Sequence, residues 1–322
     1  MKNNISEDNA LVIYYENSLK LKNNLSQPLD LKQRSLKKLI KKQYSDELIT
    51  YFRNDLSYVE VEEIIHLLTR YSERTECKLI ILDSVRNFIE LSKFRIQEIA
   101  RRGLAIKNKD EMFLNDFEKF NNIVSSELSR PLYLIQSWVS FYQATMKRVA
   151  NFSVPGAGKT SMIFGTYAFL SSKQIDKIDR IVVVGPKNSF ISWKEEFKEV
   201  FKGKRNLKVL DIHESDFSAE MFYKNVNHYN LILINYESLM KYKEELLKMV
   251  NTRTMLVFDE VHKIKNIDSQ RAKFSIELAQ KTNYKYVLTG TPISNSYQDI
   301  WNFLHILYSF EFDKYFDLNL AS

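Results

Sequence analysis

The chain has a single cysteine, Cys77, which rules out an intrachain disulfide or a thiolate metal cluster. A partly buried small residue is the reading preferred for Cys77. No apolar run is long enough to span a bilayer. The start, Met1-Lys2-Asn3-Asn4, leads into mixed polar sequence without the apolar stretch and small-residue cleavage site of a secretory signal. Together these absences lead to the expectation of a cytoplasmic chain with no membrane partner. Glycine is scarce as well, and its seven residues divide the chain, because only Gly103 precedes Gly156. Repeats and low-complexity tracts are absent.

What is present is ordinary for a globular protein. With 44% hydrophobic and 27% charged residues, the chain can bury a real core. Its 322 residues suggest about two domains. The net charge of +7 and the pI near 9.1 favour a polyanionic partner, since lysine and arginine release counterions from a phosphate backbone. Scattered solvated lysines give the same balance, so charge alone separates neither reading.

Upstream of residue 130 the pattern is that of amphipathic helices. One is predicted over 56–68, with Leu56, Val59, Ile64, Leu67 and Leu68 on one stripe, and another over 81–99 through Val85, Phe88, Ile89, Ile96 and Ile99. A third, over 33–42, interleaves Leu36, Leu39 and Ile40 with Lys37, Lys38, Lys41 and Lys42. Its lysines could touch phosphates, but a solvated face over a packed stripe is preferred. Residues 1–127 are thus expected to form an all-α region of unassigned role. It is either a docking or recognition domain or a brace packed on the downstream α/β region, with the brace preferred.

From about residue 130 strands alternate with helices. Strands are predicted over 149–152, 181–184, 207–212, 231–235, 255–259 and 286–289, several as continuous apolar runs suited to parallel strands covered on both faces. Helices are predicted over 159–170, 192–201, 237–249 and 269–281. Such alternation implies an open, mainly parallel α/β sheet, with ligands beyond the carboxyl ends of its strands.

Three segments carry chemistry. Ser153-Val154-Pro155-Gly156-Ala157-Gly158-Lys159-Thr160, continued by Ser161, sits between a predicted strand and a predicted helix. A phosphate cradle needs small residues so that backbone N–H groups converge, a lysine for the β and γ oxygens, and a hydroxyl for magnesium. Gly156, Gly158, Lys159 and Thr160 supply these parts, and Ser153 stands where the general pattern has its first glycine. A chance glycine-rich turn would not need that strand-loop-helix context. Next, Met255-Leu256-Val257-Phe258 ends in Asp259-Glu260-Val261-His262. Asp259 is placed to bind magnesium and Glu260 to orient and deprotonate an attacking water. Alone, such a pair also suits a helix N-terminus. Third, Leu288-Thr289-Gly290-Thr291-Pro292 closes another apolar strand, and by itself would read as a tight turn.

The order of these segments resembles helicase superfamily two, and their flanks resemble its Swi/Snf-type DNA translocases. Val184-Gly185-Pro186 followed by Trp193 and Glu195-Glu196-Phe197, and Asn235-Tyr236-Glu237-Ser238-Leu239, are similar to motifs of that family. So is Asp259-Glu260-Val261-His262-Lys263-Ile264-Lys265-Asn266, with Val261 and Lys263 as departures, and so are Thr289 to Pro292 with Asn295 and Trp301. Trp193 and Trp301 would otherwise read as core aromatics. The resemblance covers about residues 130–307 and implies a RecA-like lobe, over 128–310, that uses ATP and magnesium on duplex DNA. It implies phosphate contacts for Gly185, Pro186, Lys187 and Tyr236, and coupling roles for His262, Thr289, Gly290 and Thr291. It also calls for an adenine-reading glutamine, for which Gln136 after Arg130-Pro131 is the candidate, an exposed helical glutamine being the alternative.

The family's motors close their cleft with a second RecA-like lobe, whose arginine finger can be worth ~10³–10⁵ in rate. About thirty residues follow Pro292, with 311–322 expected as a tail, which is too few for a further strand-helix series. The expectation is therefore a fragment, a truncated product or half of a split motor whose second lobe comes from a separate chain. Such a chain would bind Mg-ATP and turn it over poorly alone. An RNA helicase lobe is a second reading, against which the contexts of Trp193 and Lys265-Asn266 argue. A non-catalytic, nucleotide-switched nucleic-acid-binding module is a third.

Overall fold

The computed structural model describes residues 9–223, 228–261, 264, 269–291 and 298–308. The chain divides into two compact units, one reaching Arg101 and the other starting at Arg102.

In the first unit β1 (Ala10–Glu16) turns at Asn17, whose φ of +61° suits asparagine, into antiparallel β2 (Ser18–Asn23). Helices α1 (Arg34–Lys41) and α2 (Tyr58–Thr75) follow, and β3 (Lys78–Ile81) returns parallel to β1, giving the order β2-β1-β3. The expectation of an all-α region is therefore corrected: this unit is built on a three-stranded sheet. Ser57 starts α2 through a reciprocal capping box with Glu60, and Glu76 ends it in the left-handed region. One stripe of α2, with Val61, Ile64, Leu67, Leu68 and Tyr71, is buried against Leu11, Ile13 and Leu19 of the hairpin and against Leu36 and Leu39 of α1. Lys38 and Lys42 of the α1 region pair with Glu63 of α2.

Helix α3 (Asp83–Lys107) contains the division between the units. In the second unit come α4 (Leu114–Glu127), α5 (Leu134–Met146), β4 (Arg148–Asn151), α6 (Lys159–Ser172), β5 (Arg180–Gly185), α7 (Phe190–Phe201) and β6 (Val209–Asp211). They are followed by β7 (Leu231–Asn235), α8 (Lys243–Met249), β8 (Thr254–Asp259), α9 (Gln270–Ala279), β9 (Tyr284–Leu288) and α10 (Gln298–Tyr308). The helix predicted from residue 237 starts later, after a single 3₁₀ turn at Tyr236–Ser238. The boundary expected at 127/128 also moves. Phe117 of α4 stacks on Trp138 of α5 at 3.8 Å and Phe120 meets Phe169 of α6 at 4.8 Å, so α4 belongs with the α/β unit.

Every pairing in the larger sheet is parallel, in the order β4-β9-β8-β5-β7-β6. Its apolar runs are explained by burial on both faces, since successive side chains point to opposite sides. Ile181, Val183, Leu231, Leu233, Met255 and Val257 pack with α5, α6 and α7. Val182, Val184, Ile232, Ile234, Leu256 and Phe258 pack with α8, α9 and α10. Among the described residues no helix is long and apolar enough to cross a membrane.

Candidate nucleotide site

Because the six strands run the same way, their carboxyl ends share one edge of the sheet. The loops after β4, β9, β8 and β5 leave that edge side by side, and they hold the residues singled out from the sequence.

The loop after β4 is shaped by its glycines. Gly158 caps α6 with φ +82°, and a Cβ there would lie 2.5 Å from Gln136 Nε2. That side chain spans the gap between α5 and the loop. Its Nε2 donates to the Ala157 carbonyl at 3.0 Å, and its Oε1 accepts from the Tyr133 N–H at 3.1 Å. Gln136 thus lies against the loop, with Tyr133 exposed beside it. Asn151 anchors the loop's start by accepting from Ser153 N at 3.0 Å and Ser153 Oγ at 2.6 Å. Lys159 Nζ donates to the Ser153 and Val154 carbonyls at 2.8 and 3.3 Å, neutral acceptors that phosphate oxygens would outcompete. Pro155, Gly156 and Ala157 form the bend of the loop, and Thr160 sits half-buried in the first turn of α6. The Ser161 side chain is buried, its hydroxyl accepts from Arg130 at 3.1 Å and bonds to Glu196, and Arg130 also pairs with Glu196. The same hydroxyl stands 3.4 Å from where a Cβ on Gly158 would lie, so it borders the loop.

At the end of β8, burial pushes the Asp259 carboxyl above its ordinary range, against donors from Trp193, Ser189 and the Glu260 amide and against the field of the Lys159 ammonium. Trp193 Nε1 donates to Asp259 Oδ2 at 2.9 Å. Glu260 follows in the left-handed region at φ +49°, a conformation that costs energy for a non-glycine residue and concentrates at functional sites. Val261 is buried beneath it. His262, Lys263, Lys265, Asn266, Pro292 and Asn295 lie outside the described residues, as does the side chain of Trp301.

The loop after β9 touches the first loop directly. A Cβ on Gly290 would stand 2.9 Å from Pro155 Cγ, so glycine alone permits this approach. The fully buried Thr289 extends the β4–β9 ladder through its N–H to the Asn151 carbonyl at 3.2 Å, and its Oγ1 accepts from the Thr291 amide at 3.1 Å. Beyond β5, Gly185 is buried, Pro186 half-buried and Lys187 exposed. Pro186, Lys187, Asn188, Ile191, Tyr236 and Glu237 line one groove. Tyr236 is buried at the floor of that lining, and its hydroxyl donates to the Asp259 carbonyl at 2.8 Å, so it braces the end of β8.

The donor set fits magnesium held with a nucleotide. Magnesium prefers hard oxygens and takes one or two carboxylates plus phosphates and waters, not an all-protein cage. Thr160 and Asp259 offer such oxygens, and among the described residues no cluster of three or more His, Cys, Asp or Glu side chains competes. A cation beside Asp259 would also offset the burial that disfavours its charge. Sequence reasoning took Trp193 for a core aromatic and passed over Asn151 as a loop anchor. The available signal was general: a buried indole N–H needs an acceptor.

Comparison with known proteins places this edge in context. The SNF2-related domain family matches residues 152–318, just over half of the chain. The chain is 27% identical over 182 residues to Protein CHROMATIN REMODELING 5 of Arabidopsis thaliana, covering 54% of this chain and 10% of that protein. It is 28% identical over 158 residues to ATP-dependent helicase FUN30 of Saccharomyces cerevisiae, covering 47% of this chain and 13% of that one. Thus the chain spans only a small part of the length of these relatives. A solved SWI2/SNF2 ATPase core of Sulfolobus solfataricus, described as in complex with dsDNA, aligns over 57% of this chain and 37% of that one. At 24% identity and a TM-score of 0.48 it is too loose a match to carry an argument.

Proposed function

The chain belongs to the SNF2-related family, and from that premise we propose that its second unit is the first RecA-like lobe of an ATP-driven motor that moves along or remodels duplex DNA. The observation that carries the reading is that the loop holding Lys159 and the end of β8 holding Asp259 lie at one edge of the sheet, on either side of β9. The Lys159 ammonium acts electrostatically on the carboxylate there. The names of relatives, an ATP-dependent helicase among them, support it.

In this reading the amides of residues 155–160 and the Lys159 ammonium bind the triphosphate, while Gln136 holds the loop in shape and lies on the adenine side. Thr160 and Asp259 hold magnesium, which when bound neutralises charge on the β and γ phosphates. Glu260 orients the attacking water and takes its proton. Thr289, Gly290 and Thr291, pressed on Pro155, pass changes in the cradle to the neighbouring loops. His262 shares that coupling role. Lys187 and the backbone at Gly185 and Pro186 contact DNA phosphates. The arginine finger comes from a second RecA-like lobe, in the same polypeptide or in a partner chain, so the 322 residues bind Mg-ATP but turn it over slowly alone.

The test is magnesium-dependent binding of a fluorescent ATP analogue, with ATPase activity measured on duplex DNA before and after a second lobe is supplied. Binding that Lys159→Ala abolishes, with turnover rising only once the lobe is added, is the expected result. No binding by the wild-type chain, or stimulation by single-stranded RNA and not by duplex DNA, rejects the reading.

A further inference from the structure

We propose that Trp193 is a positioning residue whose indole N–H sets the orientation in which the Asp259 carboxylate meets magnesium. The inference rests on the nucleotide-site reading above and adds a residue to it.

Trp193 lies on α7, sixty-six positions before Asp259, and is 1% exposed. Its Nε1–H ends on Asp259 Oδ2 at 2.9 Å. The same indole meets Phe164 edge-on, at 5.5 Å and 90°, and Phe164 belongs to the helix that opens with Lys159 and Thr160. One side chain therefore touches both halves of the site: the carboxylate directly, the cradle through its helix. Phe164, Phe197 and Phe201 pack against one another beside it, two of their contacts edge-on and the third tilted. What tryptophan adds is an N–H, and a buried N–H without an acceptor is costly. Its acceptor is the Asp259 carboxylate, so the bond commits one of the two carboxylate oxygens.

The test uses the full chain and its Trp193→Phe variant, which deletes the N–H and keeps a ring. Nucleotide binding is titrated against magnesium and repeated in chelator, with thermal midpoints recorded. The expected result is a rise of about tenfold in the magnesium concentration for half-maximal binding, as for losing a hydrogen bond to a charged group. Nucleotide affinity in chelator stays at the wild-type value, while the thermal midpoint falls by a few degrees, as a lost buried hydrogen bond and a smaller ring require. An unchanged magnesium requirement overturns the proposal, and so does equal weakening with and without magnesium, which would assign Trp193 to packing alone. If the variant does not fold, the wild-type chain still decides. The indole N–H resonance of Trp193, assigned by replacing Trp138 and Trp301 in turn, is expected to shift when magnesium joins bound nucleotide, and its failure to shift overturns the proposal. A wild-type chain that binds nucleotide with no magnesium dependence rejects the function proposed above instead.

Discussion

Glu63 on α2 and Asp259 at the end of β8 are both partly withdrawn from water, and their two units treat them in opposite ways. Burial pushes Glu63 up, but its partners outweigh burial and hold the carboxyl at about 2. Those partners are Lys42 at 2.8 Å, the Tyr44 hydroxyl at 2.6 Å and Lys38 at 3.0 Å. For Asp259 burial wins, and the donors of Trp193, Ser189 and Glu260, with the field of Lys159, leave it above its ordinary range. A scaffold acid is thus surrounded until its charge is satisfied. A site acid keeps a deficit of positive charge that a bound cation can fill, and this imbalance separates a functional carboxylate from a structural one.

The comparison can be broken at several points. The largest effect is expected from Phe164→Ala, which deletes a fully buried ring from the aromatic cluster that carries Trp193 to Asp259. It should cost about 3–5 kcal/mol in urea unfolding, and a cost near zero would mean that the cluster does not support the site. Next comes Asp259→Asn, expected to weaken magnesium-dependent nucleotide binding by about 100-fold or more, whereas Glu63→Gln leaves binding unchanged. Equal losses in the two variants would erase the distinction between site and scaffold.

The same Asp259→Asn change should stabilise the nucleotide-free chain near neutral pH, raising its thermal midpoint by about 2–4 °C. The sign follows from the raised carboxyl. Its penalty is absent below the ordinary carboxylate pKa, grows as pH rises through the folded-state value, and is complete above it. The gain should therefore vanish in acid. Glu63→Gln carries the opposite sign and the smallest effect, a loss of about 1–2 °C near neutral pH because 25% of the side chain is open to solvent. The stability from Glu63 is complete above its unfolded pKa and is lost as pH falls toward about 2. Melting curves of the variant and the wild type should accordingly converge at the acid end, and parallel curves would contradict the assignment.

Much of the larger unit was legible before folding was considered. Strand β7 has the predicted bounds 231–235, and β5 and β8 differ from prediction by one or two residues, because runs such as Leu231 to Ile234 are apolar on both faces. The first unit was misread as all-α, although β2 alternates Leu19 and Leu21 with Lys20 and Lys22, a period-two signal beside a turn-forming Asn17. The helical stripes of α1 and α2 carry the longer periodic signal, beside which three short strands stand out weakly. At the site, Lys159, Thr160, Asp259, Glu260 and the Thr289–Gly290 turn stand at the expected sheet edge. The hydroxyl partners of Ser161 and Tyr236 were not legible, since a motif names a residue without saying which neighbours will claim its hydroxyl.

In the larger unit residue order alone settled the alternation of strands and helices and the positions of the glycine loop and the acid pair, because turn chemistry, periodicity and small-residue spacing act over a few residues. It could not settle that β9 lies between β4 and β8, or that an indole and a phenol from distant segments would converge on Asp259. Those neighbours follow from strand order and two-sided packing of the sheet, where burial of apolar faces selects one arrangement and polar groups take whichever partners it leaves within reach.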